Sequence, residues 1–217
     1  MAEINLLDRL PEVKRDPRAR AAAKTEEDRR IAKQFGRDFF DGERRHGYGG
    51  YRYDGRWLPV ARRFVEHYGL GPQASILDVG AGKGFLMYDF LQVLPQAKVR
   101  GLDVSRYARE NAHGGMGDRI DLGSAETLPY PDRSFDLVVS INSIHNLKLD
   151  ALKQALREME RVSRAHKFIS VDAWRTEQER QRLMDWILTA ETYMHVDDWH
   201  RLFAEVGYTG DVWWFIP

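Results

Sequence analysis

After Pro72 the chain switches its hydrophobic period again and again, and this alternation is its dominant pattern. Short runs of β-forming residues stand at ASILDV (74–79), KVRGLDV (98–104), DRIDLGSA (118–125), FDLVVSINS (135–143), KFISVDAW (167–174) and GDVWWFIP (210–217). Stretches with helical spacing separate them: Phe85 to Leu94, Ser105 to Ala112, Leu149 to Val162, Thr176 to Glu191 and Asp197 to Val206. In the third, Leu149, Leu152, Leu156, Met159 and Val162 form one stripe; the last has Asp197 as a candidate N-cap and Gly207 just past its end. An earlier helix is expected from Trp57 to Tyr68, where Trp57, Val60, Ala61, Phe64, Val65 and Tyr68 recur at helical spacing and Gly69 supplies a stop. Alternating strands and helices call for an α/β fold: a doubly wound, mostly parallel sheet with helices on both faces and ligands outside the carboxyl ends of the strands. Only one strand-like run follows the last helix, so six strands are expected, or seven if a second copy completes the sheet.

Residues 1–56 read differently. Arg9 to Arg30 mixes acidic and basic residues with helix-favouring alanines and little apolar periodicity, which predicts a solvated helical arm. The following FGRDFFDGERRHGYGGYRYDGRW is too glycine-rich for a helix and too aromatic for a passive linker, so it reads as an ordered loop. The expected organisation is a helical arm with a Gly/Tyr-rich lid over 1–56 and the main domain over 57–217.

Composition narrows the partners. Lys plus Arg and Asp plus Glu are 33 each in 217 residues, so no net field draws the chain to nucleic acid or to an anionic membrane. Cysteine is absent, which rules out disulfides and thiolate chemistry and fits a reducing, cytoplasmic setting. No apolar run is long enough to span a membrane. The seven histidines are scattered, and no metal-ligand spacing is present.

The chemistry centres on ILDVGAGKGF (76–85), a glycine turn between the first strand of the unit and its first helix, where unpaired backbone N–H groups and glycine's freedom let a ligand approach closely. A P-loop needs G-x-x-x-x-G-K-[ST], and Gly84-Phe85 follows Lys83 with no hydroxyl for magnesium. A dinucleotide turn needs a small third residue at position 85, where Phe85 stands. The spacing is instead G-x-G-x-G, with Asp78 two residues before the first glycine. Asp103 closes the next strand, where a carboxylate can accept from both ribose hydroxyls.

With these motifs in order, the chain resembles the class I S-adenosylmethionine-dependent methyltransferases over roughly residues 57 to 217. ILDVGAGKG matches the family's first motif, GLDVS the acidic second, and GSAETLPYPDRSFDLVVS the third and fourth. The resemblance implies a Rossmann-like fold and S-adenosylmethionine as cofactor, with S-adenosylhomocysteine as product. It implies that Gly80, Ala81, Gly82 and Gly84 pass the methionine part, that Asp78 anchors its amino group, and that Asp103 and Val104 hold the ribose. Ser124, Ala125 and Glu126 would meet the adenine, although Ser124 replaces the aspartate of many relatives. Asn142 would lie beside the cofactor.

A sulfonium methyl is already activated, so the protein must align the nucleophile, exclude water and take a proton if one remains. His145 is the candidate general base, with a structural role as its rival, and Tyr48 is a second catalytic candidate. His46, Tyr51, Asn146, Asp172 and Trp174 are expected to frame the acceptor, with the HGYGGY loop closing over it. The expected function is methyl transfer to an N or O atom of a small polar or sugar-like metabolite in a biosynthetic pathway. Methylation of a peptide or protein, or a noncatalytic binding subunit, is the competing reading. The aromatic run GDVWWFIP offers an edge through which two copies could form a homodimer.

Overall fold

Strand β1 (Ser75–Val79) carries Ile76, Leu77 and Val79, each at most 1% exposed, because a strand in the middle of a doubly covered sheet has no solvent face. The computed structural model describes residues 1–12, 15–22 and 24–217. β2 (Lys98–Asp103) and β3 (Ile120–Leu122) pair outward from one side of β1, and β4 (Phe135–Ile141) and β5 (Ser163–Trp174) from the other, giving the order β3-β2-β1-β4-β5. Beyond β5 lie the two-residue β6 (Met194–His195) and β7 (Asp211–Phe215), each paired with β5, and every pairing is parallel. The sheet of the described residues thus has seven strands within one chain. The seventh went unread because a two-residue strand has no periodicity.

Helices cover both faces. On one, α4 (Leu58–Tyr68) lies against α5 (Phe85–Val93), and Phe64 meets Phe90 and Phe168 edge-on with centroids 6.0 and 5.0 Å apart. On the other, α7 (Leu149–Val162) and α9 (Val196–Val206) bury Leu156, Met159, Trp199 and Phe203 against Val138 and Ile169. Burying each such side chain contributes about 1.5–3 kcal/mol.

Several expectations change at the ends of elements. The stripe on α7 runs through Ala155 as well, whereas Leu149 in its first turn is 45% exposed. The N-cap of α9 is His195, whose Nδ1 accepts from the Asp197 backbone N–H at 3.2 Å; the strand pairing of His195 sets the helix start two residues early. Gly207 does end the helix, in the left-handed conformation. α8 (Glu177–Trp186) stops five residues short of Glu191, since the backbone N–H groups of Glu191 and Thr192 are drawn instead onto the His145 carbonyl.

The N-terminal segment departs most. Ile4 donates to the Val212 carbonyl and Val212 to that of Ala2, so residues 2–4 pair along the edge of β7 that was expected to be open to a second copy or to the core. Leu6 is fully buried in the core beside α4. The arm forms α1 (Pro17–Ala22) and α2 (Glu26–Ala32); its Val13, Lys14 and Ala23 lie outside the described residues. It is not solvated throughout, because Arg20, Lys24 and Arg29 donate to the backbone carbonyls that end α8. The aromatic loop is partly helical, with α3 (Arg37–Asp41) and a single 3₁₀ turn at Arg44–His46. Among the described residues no helix is long and apolar enough to cross a membrane.

Candidate active site

The carboxyl ends of β1, β2 and β4 meet at the glycine turn. Gly80 has φ +83°, and a Cβ there would lie 1.8 Å from the Ser143 hydroxyl, so only glycine lets the turn after β4 approach. The Gly80 and Ala81 N–H groups donate to the Leu102 carbonyl at 2.7 and 3.1 Å, and the Gly82 N–H to Asp103 Oδ2 at 2.7 Å. Asp103 Oδ1 accepts from Ser105 N at 2.8 Å. Burial nevertheless pushes the Asp103 carboxyl above its ordinary range. Asp78 is buried on the same side and makes no side-chain hydrogen bond among the described residues; desolvation and the charge of Asp103 push it up to about 7. Neither carboxylate has a cationic partner among the described residues.

Three adjoining cavities share lining residues. One of about 150 Å³ is lined by Gly80, Asp103, Val104, Ser124 and Ala125, with Phe39 and Phe40 over it. A second, about 420 Å³, is lined by Asp78, Ala81, Gly82 and Phe85 on one side and by Tyr51, Arg52 and Trp57 on the other. A third, about 220 Å³, lies toward α8 and is lined by His145, Asn146, Asp172 and Trp186. Tyr48 and Asn142 border all three. Asn142 stands at φ +50°, held by its N–H on the Ser170 carbonyl and by Ser170 Oγ donating to its Oδ1 at 3.0 Å. Such strain on a non-glycine residue persists where the surroundings fix it, as they do here.

An aromatic lid covers the first two cavities. Tyr51 stacks on Phe85 at 4.5 Å and lies tilted against Tyr48 at 4.2 Å, which gives the large residue at position 85 a positive purpose. Lys83 reaches out of the glycine turn to Asp41 Oδ2 at 2.5 Å and to the Tyr51 carbonyl at 3.1 Å, and Tyr107 donates to the same carboxylate at 2.7 Å. Burial opposes ionisation of Asp41, but the Lys83 and Tyr107 hydrogen bonds prevail and hold it below its ordinary range. Ser105 Oγ donates to the Phe35 carbonyl at 2.5 Å and Tyr53 to Asp89 at 2.6 Å. Desolvation and Asp103 push the Tyr48 phenol up to about 12, although its ring is 47% exposed because it faces the cavities.

The structure separates the residues expected at the acceptor. Asn146 and Asp172 line the third cavity and Tyr51 the second. His46 lies outside the cavities, with Nε2 2.9 Å from Asp28 Oδ1, since Asp28 at the start of α2 draws it away. Trp174 also lies outside them, tilted against Tyr193 where β6 pairs with β5. Glu126 lines none of the cavities; its carboxylate accepts from Ser124 Oγ at 2.8 Å. Gly84 is likewise set back, facing Met116 and capping α5. His145 lines the third cavity, yet its Nδ1 accepts the Asp172 backbone N–H at 3.2 Å, with Asp172 Oδ1 3.6 Å away. Neutral His145 therefore carries its proton on Nε2 and offers a donor rather than a free lone pair. Arg15, Arg20, Phe35 and Trp186, unread in the sequence, reach the site from segments that carry no motif.

Residues 77–171 match the family model described as "Methyltransferase domain". The chain is 35% identical over 112 residues to the ubiquinone/menaquinone biosynthesis C-methyltransferase UbiE of Hahella chejuensis, covering 48% of this chain and 44% of that protein. It is 34% identical over 128 residues to the demethylmenaquinone methyltransferase of Symbiobacterium thermophilum, covering 55% and 50%. The chain spans about half the length of these relatives or less. Among solved structures, the YcgJ protein of Bacillus subtilis shares the fold, with a TM-score of 0.55 and 20% identity over 70% of this chain and 68% of that one.

Proposed function

This chain carries a class I S-adenosylmethionine-dependent methyltransferase domain, and on that premise we propose that it methylates an N or O atom of a small polar or sugar-like metabolite, in the cytoplasm and as part of a biosynthetic pathway. The observation that carries the reading is the junction: Tyr48 and Asn142 border the Asp103 cavity, the Asp78 cavity and the cavity beside α8, so a methyl donor and an acceptor can meet there.

The residues fit the cofactor. Buried carboxylates without a cation are costly and favour a positively charged ligand. Asp78 would take the amino group, Asp103 would accept from the ribose hydroxyls with the lone pairs that Gly82 and Ser105 leave, and Val104, Ser124 and Ala125 would enclose the adenine. When bound, S-adenosylmethionine supplies an activated methyl group. The protein's part is then alignment and exclusion of water, and the aromatic lid latched by Lys83 and Asp41 supports the second. Tyr48, protonated at neutral pH, would orient the acceptor as a hydrogen-bond donor. Asn146 has a buried Oδ1 without a partner, which supports an acceptor that presents an N–H or O–H. His145 would position Asp172 and the loop after α8.

The test is incubation with methyl-labelled S-adenosylmethionine and a fractionated metabolite extract, followed by mass spectrometry. A labelled small molecule supports the reading; label only on protein, or none, refutes it.

A further inference from the structure

The cavity beside α8 has a basic lining. Arg15, Arg20 and Arg44 line the cavity beside α8, where Asp172 is the single acidic side chain; Arg15 and Arg44, with Arg52 and Arg56, also line the second cavity, which holds Asp78. The chain as a whole is neutral, so this basic lining is local. Among the described residues no carboxylate acts on any of the three arginines; each is lowered from the ordinary guanidinium value, first by burial. Asp172 does not balance them, because its own burial favours the neutral acid.

Part of the cluster is structural. Lys24 and Arg29 donate to the Asp185 and Ile187 carbonyls, where the end of α8 favours cations, and Arg20 Nε donates to the Trp186 carbonyl at 2.9 Å. That account does not extend to Arg15 or Arg44. The Arg15 guanidinium lies 4.8 Å from the Phe215 ring centroid and 5.9 Å from that of Trp186, while Arg44 Nη1 donates to the Gly47 carbonyl. Stacking uses the face of a guanidinium and leaves its in-plane N–H fork, which suits a planar oxyanion. Arg15 and Arg44 are exposed and Arg20 is half-buried, none has a carboxylate partner among the described residues, and an anionic ligand would add charge-assisted hydrogen bonds.

We propose that the acceptor bears a carboxylate or phosphate, held by Arg15 and Arg44 with Arg20 beside them, while its apolar body rests on Trp186 and Phe215. This rests on the methyl-transfer reading above, since it assigns the cavity to the acceptor. Arg15 and Arg44 also border the glycine-turn cavity, so the rival assignment is the carboxylate of the cofactor itself.

Calorimetric titration of the full chain decides, with and without S-adenosylhomocysteine. The probes are 4-hydroxybenzoate, its neutral amide and inorganic phosphate. Saturable binding of benzoate or phosphate is expected, with the amide at least about tenfold weaker. Benzoate affinity should fall about tenfold or more in Arg15→Gln and Arg44→Gln, and recover in part in Arg44→Lys, while S-adenosylhomocysteine affinity stays within about twofold. The relative strength of phosphate and benzoate identifies the group. Normal S-adenosylhomocysteine binding with no anion binding overturns the inference alone. Loss of S-adenosylhomocysteine affinity in the folded arginine variants overturns it in favour of the cofactor. Anion binding with no S-adenosylhomocysteine binding overturns the methyl-transfer reading instead.

Discussion

The carboxylate of Asp103 accepts the backbone N–H of Gly82 at 2.7 Å, so the acid that closes β2 is also a strut of the glycine turn after β1. On the proposed reading, cofactor recognition and turn geometry are thereby one unit. Asp103→Ala would remove the proposed ribose acceptor and free the Gly82 and Ser105 N–H groups together. Hydrogen bonds to a charged group contribute about 1.5–3 kcal/mol, so S-adenosylhomocysteine affinity should fall about 10- to 100-fold, measured by calorimetry.

Asp78 gives the site a pH dependence. Its folded pKa of about 7 lies above the unfolded value, so the folded chain holds the extra proton. Its contribution to stability is therefore full below about pH 4 and is lost as pH rises through 7. An ammonium group beside it reverses the shift. S-adenosylhomocysteine binding should release close to one proton at pH 6 and almost none at pH 8.5, read from binding enthalpies in buffers of different ionisation heat. Asp78→Asn should abolish the release.

The lid hangs on Lys83. Its amine is nearly buried against Asp41, and breaking such a pair costs about 3–5 kcal/mol when fully buried, less at this partly open site. Lys83→Met should speed S-adenosylhomocysteine dissociation about tenfold or more in stopped flow and expose residues 36–53 to limited proteolysis. An unchanged dissociation rate would mean that the aromatic stacking holds the lid unaided.

His145 is expected to matter to the fold more than to proton transfer. His145→Gln should retain at least about a tenth of kcat, against the 100-fold or larger loss typical of a missing general base. It should also lower Tm, because the buried Asp172 N–H loses its imidazole acceptor, while the carbonyl of residue 145 still holds the 191–192 backbone.

The sequence carried the half of the site built on regular elements. Strand runs and the spacing of Asp78, Gly80, Gly82 and Asp103 are local patterns, and all four lie against the adjoining cavities. The proposed acceptor half was hidden, because Arg15, Trp186 and Phe215 are distant in sequence and meet only when α1 docks on the end of α8. Local pattern also misled where a side chain had a stronger partner nearby: His46 goes to Asp28, and Glu126 to Ser124. The edge of β7 looked open because nothing in AEINLL signals that three residues will pair there.

Calorimetric titration of the chain with S-adenosylhomocysteine tests the central claim most directly. Binding of one molecule per chain at micromolar concentration, sharply weakened in Asp103→Ala, is the expected result. No heat at millimolar ligand, from folded protein, would contradict the account.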